Sequence, residues 1–106
     1  MKLSQQKCEA CRIGESPLSR EEALELRGET PLWALKGDAI EREFQFDDFR
    51  GSIAFVNAVA EVAEEEGHHP VITLTWGEAT ITWYTHKIEG LHQNDFIMAA
   101  KTDELA

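Results

Sequence analysis

Three of the four histidines in this chain fall near one another once the strands between them are folded back. His68 and His69 are adjacent, and His86 follows a strand-rich stretch that returns the chain toward residue 70. An imidazole, with a reference pKa of about 6.5, both gives and takes a proton near neutral pH, and a carboxylate beside it fixes its orientation. Glu64, one helical turn before His68, and Asp95, at the start of the last helical segment, are carboxylates placed for that task. The same residue types also suit zinc or iron, and paired loop histidines are often solvated or cap a helix end. Spacing alone leaves acid/base chemistry, a metal site and a surface role all open. Nucleophilic catalysis has less to stand on: Ser4, Ser16, Ser19 and Ser52 lie outside any nucleophile-elbow pattern, and Cys8 and Cys11 are remote from the histidines in sequence. No glycine-rich phosphate loop is present.

The elements that must position these groups are legible. Ser19 with Glu22 forms a capping box and Leu18 precedes it as a staple, which predicts a helix over 20–27 closed by Gly28. Leu32 to Leu35, a Lys36-Gly37-Asp38 turn and Ala39 to Phe46 form strand, turn and strand. Ile40, Arg42, Phe44 and Phe46 share one face, with Arg42 the charged exception. Asp47 or Asp48 caps a long helix whose apolar stripe is Phe49, Ile53, Val56, Ala60 and Ala63, ending at Gly67. Trp33, Phe44, Phe46, Phe49 and Phe55 are expected in the core. Val71–Thr75 and Ala79–Thr85 form a second hairpin turning at Trp76, and Phe96, Ile97 and Ala100 mark a terminal helix over about 92–102. Pro70 holds His69 extended.

This order, α-β-β-α-β-β-α, predicts an α+β fold: a four-stranded antiparallel sheet with helices packed on one face. The uncovered face and the sheet edges favour a homo-oligomer. Residues 1–17 are expected to form an N-terminal arm ahead of a single domain over 18–106.

The chain has 106 residues and 20 acidic against 10 basic side chains, a formal net charge of -10. One core fits that length, and a two-domain enzyme is excluded. The negative field repels phosphate backbones and anionic lipid, so nucleic acid and membrane surfaces are not expected partners; a neutral or cationic small molecule is. Met1 to Gln6 lacks the apolar run of a signal peptide and no segment is long enough for a membrane span, which points to the cytoplasm. Cys8-x-x-Cys11 stands as a single pair, either half of a metal or redox site or a terminal turn with reduced thiols.

Taken together, Glu64-x-x-x-His68-His69-Pro70, then Trp76, His86 and Asp95, resemble the signature of the pterin-4a-carbinolamine dehydratase family. The likeness runs from about Leu18 to the C-terminus and takes in Phe44-Gln45-Phe46-Asp47-Asp48-Phe49 and Gly90-Leu91. It implies an antiparallel four-stranded sheet with helices on one face, in homodimers or homotetramers. It implies dehydration of a 4a-hydroxytetrahydropterin to the quinonoid dihydropterin, without metal or other cofactor, in recycling the pterin of aromatic amino acid hydroxylases.

On that resemblance His68 and His86 are the acid/base groups and His69 binds and orients the pterin. Glu64 orients a histidine, and Asp95 tunes protonation or meets the ring edge. Backbone groups at Gly67, Tyr84 and Thr85 read the amide edge, and Trp76, at the hairpin turn, either borders the substrate pocket or covers the sheet edge. Alternative readings are a dimerisation or regulatory module on the same fold, or a related step on another pterin, such as that of molybdenum cofactor metabolism. Two features depart from the family pattern. His92 stands where a capping Ser or Thr is expected, and the Cys8-x-x-Cys11 arm has no role in the reaction.

Overall fold

Ser19 begins the ordered helical part of the domain as the sequence requires. Its hydroxyl accepts from the Glu22 N–H at 3.1 Å, and Glu22 Oε1 accepts from the Ser19 N–H at 2.9 Å. The Ser19 N–H, followed by its hydroxyl, holds the Glu22 carboxyl below its ordinary pKa, and the capping box launches α1 over Arg20–Arg27. The computed structural model describes residues 2–8, 16–85 and 88–106. After a 3-10 turn at Leu3–Gln5 and α1 come β1 (Ala34–Lys36), β2 (Ala39–Gln45), α2 (Phe49–Glu66), β3 (Val71–Leu74), β4 (Glu78–Trp83) and α3 (Gln93–Leu105). Strand β1 begins later than expected, because the Trp33 N–H closes a turn by donating to the Thr30 carbonyl at 3.1 Å; the buried Trp33 indole N–H donates to Asp103 Oδ1 at 2.9 Å.

The four strands form one antiparallel sheet in the order β1-β2-β4-β3, the expected α+β fold. Register sorts the side chains. Ile40 opposes Trp83, Arg42 opposes Ile81 and Phe44 opposes Ala79, so one face carries a buried apolar row. Glu41, Glu43 and Gln45 pair with Thr82, Thr80 and Glu78 on the other face, which is polar. Each large apolar side chain buried on the inner face contributes roughly 2 kcal/mol relative to exposure. Arg42 is tolerated there because its guanidinium lies 4.3 Å from the Phe44 ring centroid and 2.6 Å from Asp103 Oδ1 on α3.

Two expectations are corrected. The buried stripe of α2 is Ser52, Phe55, Val59 and Ala63, rotated from the apolar stripe of the sequence; Phe49 is 53 % exposed rather than core and Ala60 is exposed, while Phe46 is half-buried and packs against the core. The cause is Ser52. Its hydroxyl lies 2.9 Å from the Phe49 carbonyl, 3.2 Å from that of Thr75 and 3.3 Å from that of Trp76, which pins this face of the helix to the β3–β4 turn. A hydroxyl with such partners is stable inside, where hydropathy alone would turn it out.

The other correction concerns α3, which is buried nearly all round rather than on one stripe: Asn94 to Ala99 and Thr102 are inaccessible. It packs against α1, α2, β4 and the 3-10 turn. Leu3 from that turn is 4 % exposed within the same core, and Lys101 Nζ donates to the Ser4 carbonyl at 2.9 Å. Among the described residues, no helix is long and apolar enough to cross a membrane.

Candidate active site

Two helix ends and one strand end converge on His68. Helix α2 closes at Gly67, whose φ of 66° and ψ of 27° lie in the left-handed region that glycine adopts without strain. The turn lets the His68 N–H donate to the Ala63 carbonyl at 3.1 Å, so the side chain leaves from the end of the helix. Helix α3 begins at the same place. His92 is its N-cap, with Nδ1 accepting from the Asn94 N–H at 3.0 Å, and Asp95 closes a capping box through the His92 N–H at 2.9 Å. An imidazole therefore does the work usually done by Ser or Thr at this position.

Asp95 is wholly buried, and each of its oxygens has a donor. Oδ1 lies 2.6 Å from His68 Nε2, while Oδ2 accepts from the Thr85 hydroxyl at 2.8 Å and from the His92 N–H. Such a carboxylate without partners would cost several kcal/mol. Here it fixes the direction of the His68 ring, and the plane of that ring is set by Trp83, stacked at 5.5 Å between centroids with 11° between planes. Trp83 is itself held by its indole N–H, which donates to Thr102 Oγ1 at 3.2 Å. Because Nε2 donates to a carboxylate, the neutral ring carries its lone pair on Nδ1. Asp95 and Trp83 thus fix the orientation of the His68 ring, on a side chain 13 % exposed.

The remaining sequence-predicted residues are distributed unevenly. His69 Nε2 lies 3.4 Å from Glu64 Oε1, and both side chains are well exposed, so this is a loose surface pair beside the buried one. Thr85 contributes its hydroxyl to Asp95, while its backbone is engaged in a bridge with Gly90. Tyr84 is half-buried and has interactions of its own. Trp76 is 72 % exposed in the β3–β4 turn, at the far end of the hairpin from Pro70 and His69. His86 and Cys11 lie outside the described residues.

Sequence reasoning missed Trp83 and the N-terminal segment. A tryptophan at an inward strand position signals only core, and nothing in the sequence marks it as the platform for His68. Cys8 reaches the site from the other end of the chain: its N–H donates to Glu66 Oε1 at 2.7 Å, and its Sγ lies 3.9 Å from the Asn94 carbonyl. Burial, reinforced by the negative charge of Glu66 and opposed by Lys101, pushes the Cys8 thiol up to about 12.

Comparison with known proteins places this geometry. A relative from Cupriavidus pinatubonensis is 54% identical over 107 residues, covering 99% of this chain and 92% of its own. One from Microcystis aeruginosa is 48% identical, covering 97% and 92%. Both are provisionally named pterin-4-alpha-carbinolamine dehydratases. A crystal structure from Brucella melitensis described as a transcriptional coactivator/pterin dehydratase superposes with a TM-score of 0.81 at 30% identity, over 86% of this chain and 99% of that one. A pterin dehydratase-like protein identified as a RuBisCO assembly factor in the alpha-carboxysome superposes with a TM-score of 0.59 at 27% identity, over 70% and 86%. The sequence pattern of the family matches residues 16–105, and the chain belongs to the pterin 4 alpha carbinolamine dehydratase family.

Proposed function

We propose that this protein dehydrates a 4a-hydroxytetrahydropterin to the quinonoid dihydropterin, with His68 as a proton-transfer group. The observation that carries this reading is the His68–Asp95 pair, in which a buried carboxylate and a stacked indole fix the position and plane of one imidazole. Loss of water from C4a needs a proton delivered to the departing hydroxyl and a proton removed from N5. The C4a–O bond breaks as the N5 electron pair forms the new C=N bond, and no electrons leave the substrate. Positioned imidazoles contribute roughly 100- to 10,000-fold to steps of this kind.

His86 is the second acid/base group in this reading, and His69 with Glu64 orients the pterin from the exposed side of the same loop. Thr85 acts through Asp95, and Asp95 acts through His68. The protein works in the cytoplasm as a homo-oligomer and serves pterin recycling; the outer edges of β1 and β3, unpaired among the described residues, and the exposed Phe49 and Trp76 support self-association. Absorbance followed as chemically generated 4a-hydroxytetrahydropterin decays tests the activity. Acceleration in proportion to protein concentration is expected. Decay at the uncatalysed rate would overturn the reading and favour a binding module on this fold.

A further inference from the structure

The N-terminal segment lies largely outside the family pattern, yet it spans the two helix ends that build the His68–Asp95 pair. Leu3 is buried against the core, the Ser4 carbonyl accepts from Lys101 on α3, and Gln6 Oε1 accepts from Gln93 Nε2 at 3.1 Å. Cys8 then meets both flanks of the pair at once. Its N–H reaches the carboxylate of Glu66, two residues before His68, and its thiol faces the carbonyl of Asn94, one residue before Asp95. The amide–carboxylate bond is charge-assisted and is the stronger of the two contacts.

We propose that this segment is a strap that fixes the end of α2 to the start of α3, with Glu66 and Cys8 as positioning residues for the His68–Asp95 pair. A pair joined by one 2.6 Å contact between separate helices keeps its geometry only if those helices keep their spacing. The strap supplies that constraint from a third piece of chain. The inference rests on the dehydratase reading for its kinetic consequence and on geometry alone for its structural one.

Glu66→Ala and Glu66→Gln, made in the full chain, test it. Alanine is a strong helix former, and removing an acid from the last turn of α2 relieves an unfavourable interaction with the helix dipole, so Glu66→Ala folds. Glu66→Ala is expected to lower kcat about tenfold with little change in KM, since small misplacements of a reacting group carry penalties of that order. Glu66→Gln keeps an acceptor for the Cys8 N–H and is expected to stay within about twofold of wild type, the neutral bond being weaker.

The structural readout is the His68 ring resonances, shifted by the current of the Trp83 indole. They move in Glu66→Ala and stay in place in Glu66→Gln. Unmoved resonances and undiminished kcat in Glu66→Ala would overturn the strap, as would equal impairment in both variants, which would make charge and not the bond the cause. If wild-type protein fails to accelerate dehydration, the functional reading falls and the resonances alone decide the strap.

Discussion

His68 Nε2 stands 2.6 Å from Asp95 Oδ1, with the histidine at the end of one helix and the aspartate in the first turn of another. The carboxylate is inaccessible to solvent, so whatever replaces it must satisfy the same donors without help from water. Asp95→Asn puts an N–H2 group among the His68, Thr85 and His92 donors and leaves one of them opposed. Turnover is expected to fall about 10- to 100-fold, and His68→Ala, which removes the proton carrier itself, to lower it by about 100-fold or more with the fold intact. Steady-state rates beside far-ultraviolet circular dichroism check both. Wild-type turnover in Asp95→Asn would remove the carboxylate from the mechanism.

Trp83 supports the same histidine from the side. Trp83→Phe narrows the stacking surface and deletes the bond to Thr102, whose hydroxyl still donates to the Met98 carbonyl at 2.6 Å. The loss of one buried hydrogen bond and part of a buried ring is expected to cost roughly 1–3 kcal/mol in chemical unfolding. A denaturation midpoint equal to wild type would show that the indole is not anchored as described.

Cys8 ties stability to alkaline pH. Its thiol is raised from 9.0 to about 12 in the folded chain, so the folded state holds this proton where the unfolded state loses it. The resulting stabilisation is fully present below pH 9 and fades as pH rises from there toward about 12. Cys8→Ser, which does not titrate, is expected to flatten that decline relative to wild type. Urea unfolding at several pH values between neutrality and the alkaline limit measures it, and parallel declines in the two proteins would contradict the assignment.

Phe49 and Trp76 are exposed side chains whose backbones meet at the Ser52 hydroxyl. An apolar surface of this kind is expected to be covered by a second copy of the chain. Phe49→Ser should leave the fold in place and lower the mass measured by light scattering during gel filtration. An unchanged mass would locate the association elsewhere.

Much of this protein is determined locally. The Ser19–Glu22 capping box, the alternation along β2 and the glycine at position 67 place α1, β2 and the end of α2 within a residue or two. Each depends on interactions a few positions apart, and these are written in the sequence. The resemblance carried by Glu64, His68, His69, Trp76, His86 and Asp95 also led to the family.

What the tertiary structure alone decided depends on contacts made across the fold. Ser52 turns inward because three carbonyls, two of them on a distant turn, offer it partners, and the apolar stripe rotates to follow it. Helix α3 is buried nearly all round because α1, α2, β4 and the turn carrying Leu3, at the other end of the chain, all pack on it. The site follows the same logic. A histidine and an aspartate are visible in the sequence, but which carboxylate oxygen meets which ring nitrogen, and that Trp83, Thr85 and the His92 N–H hold them there, is fixed by groups far apart in the chain that meet only once it has folded.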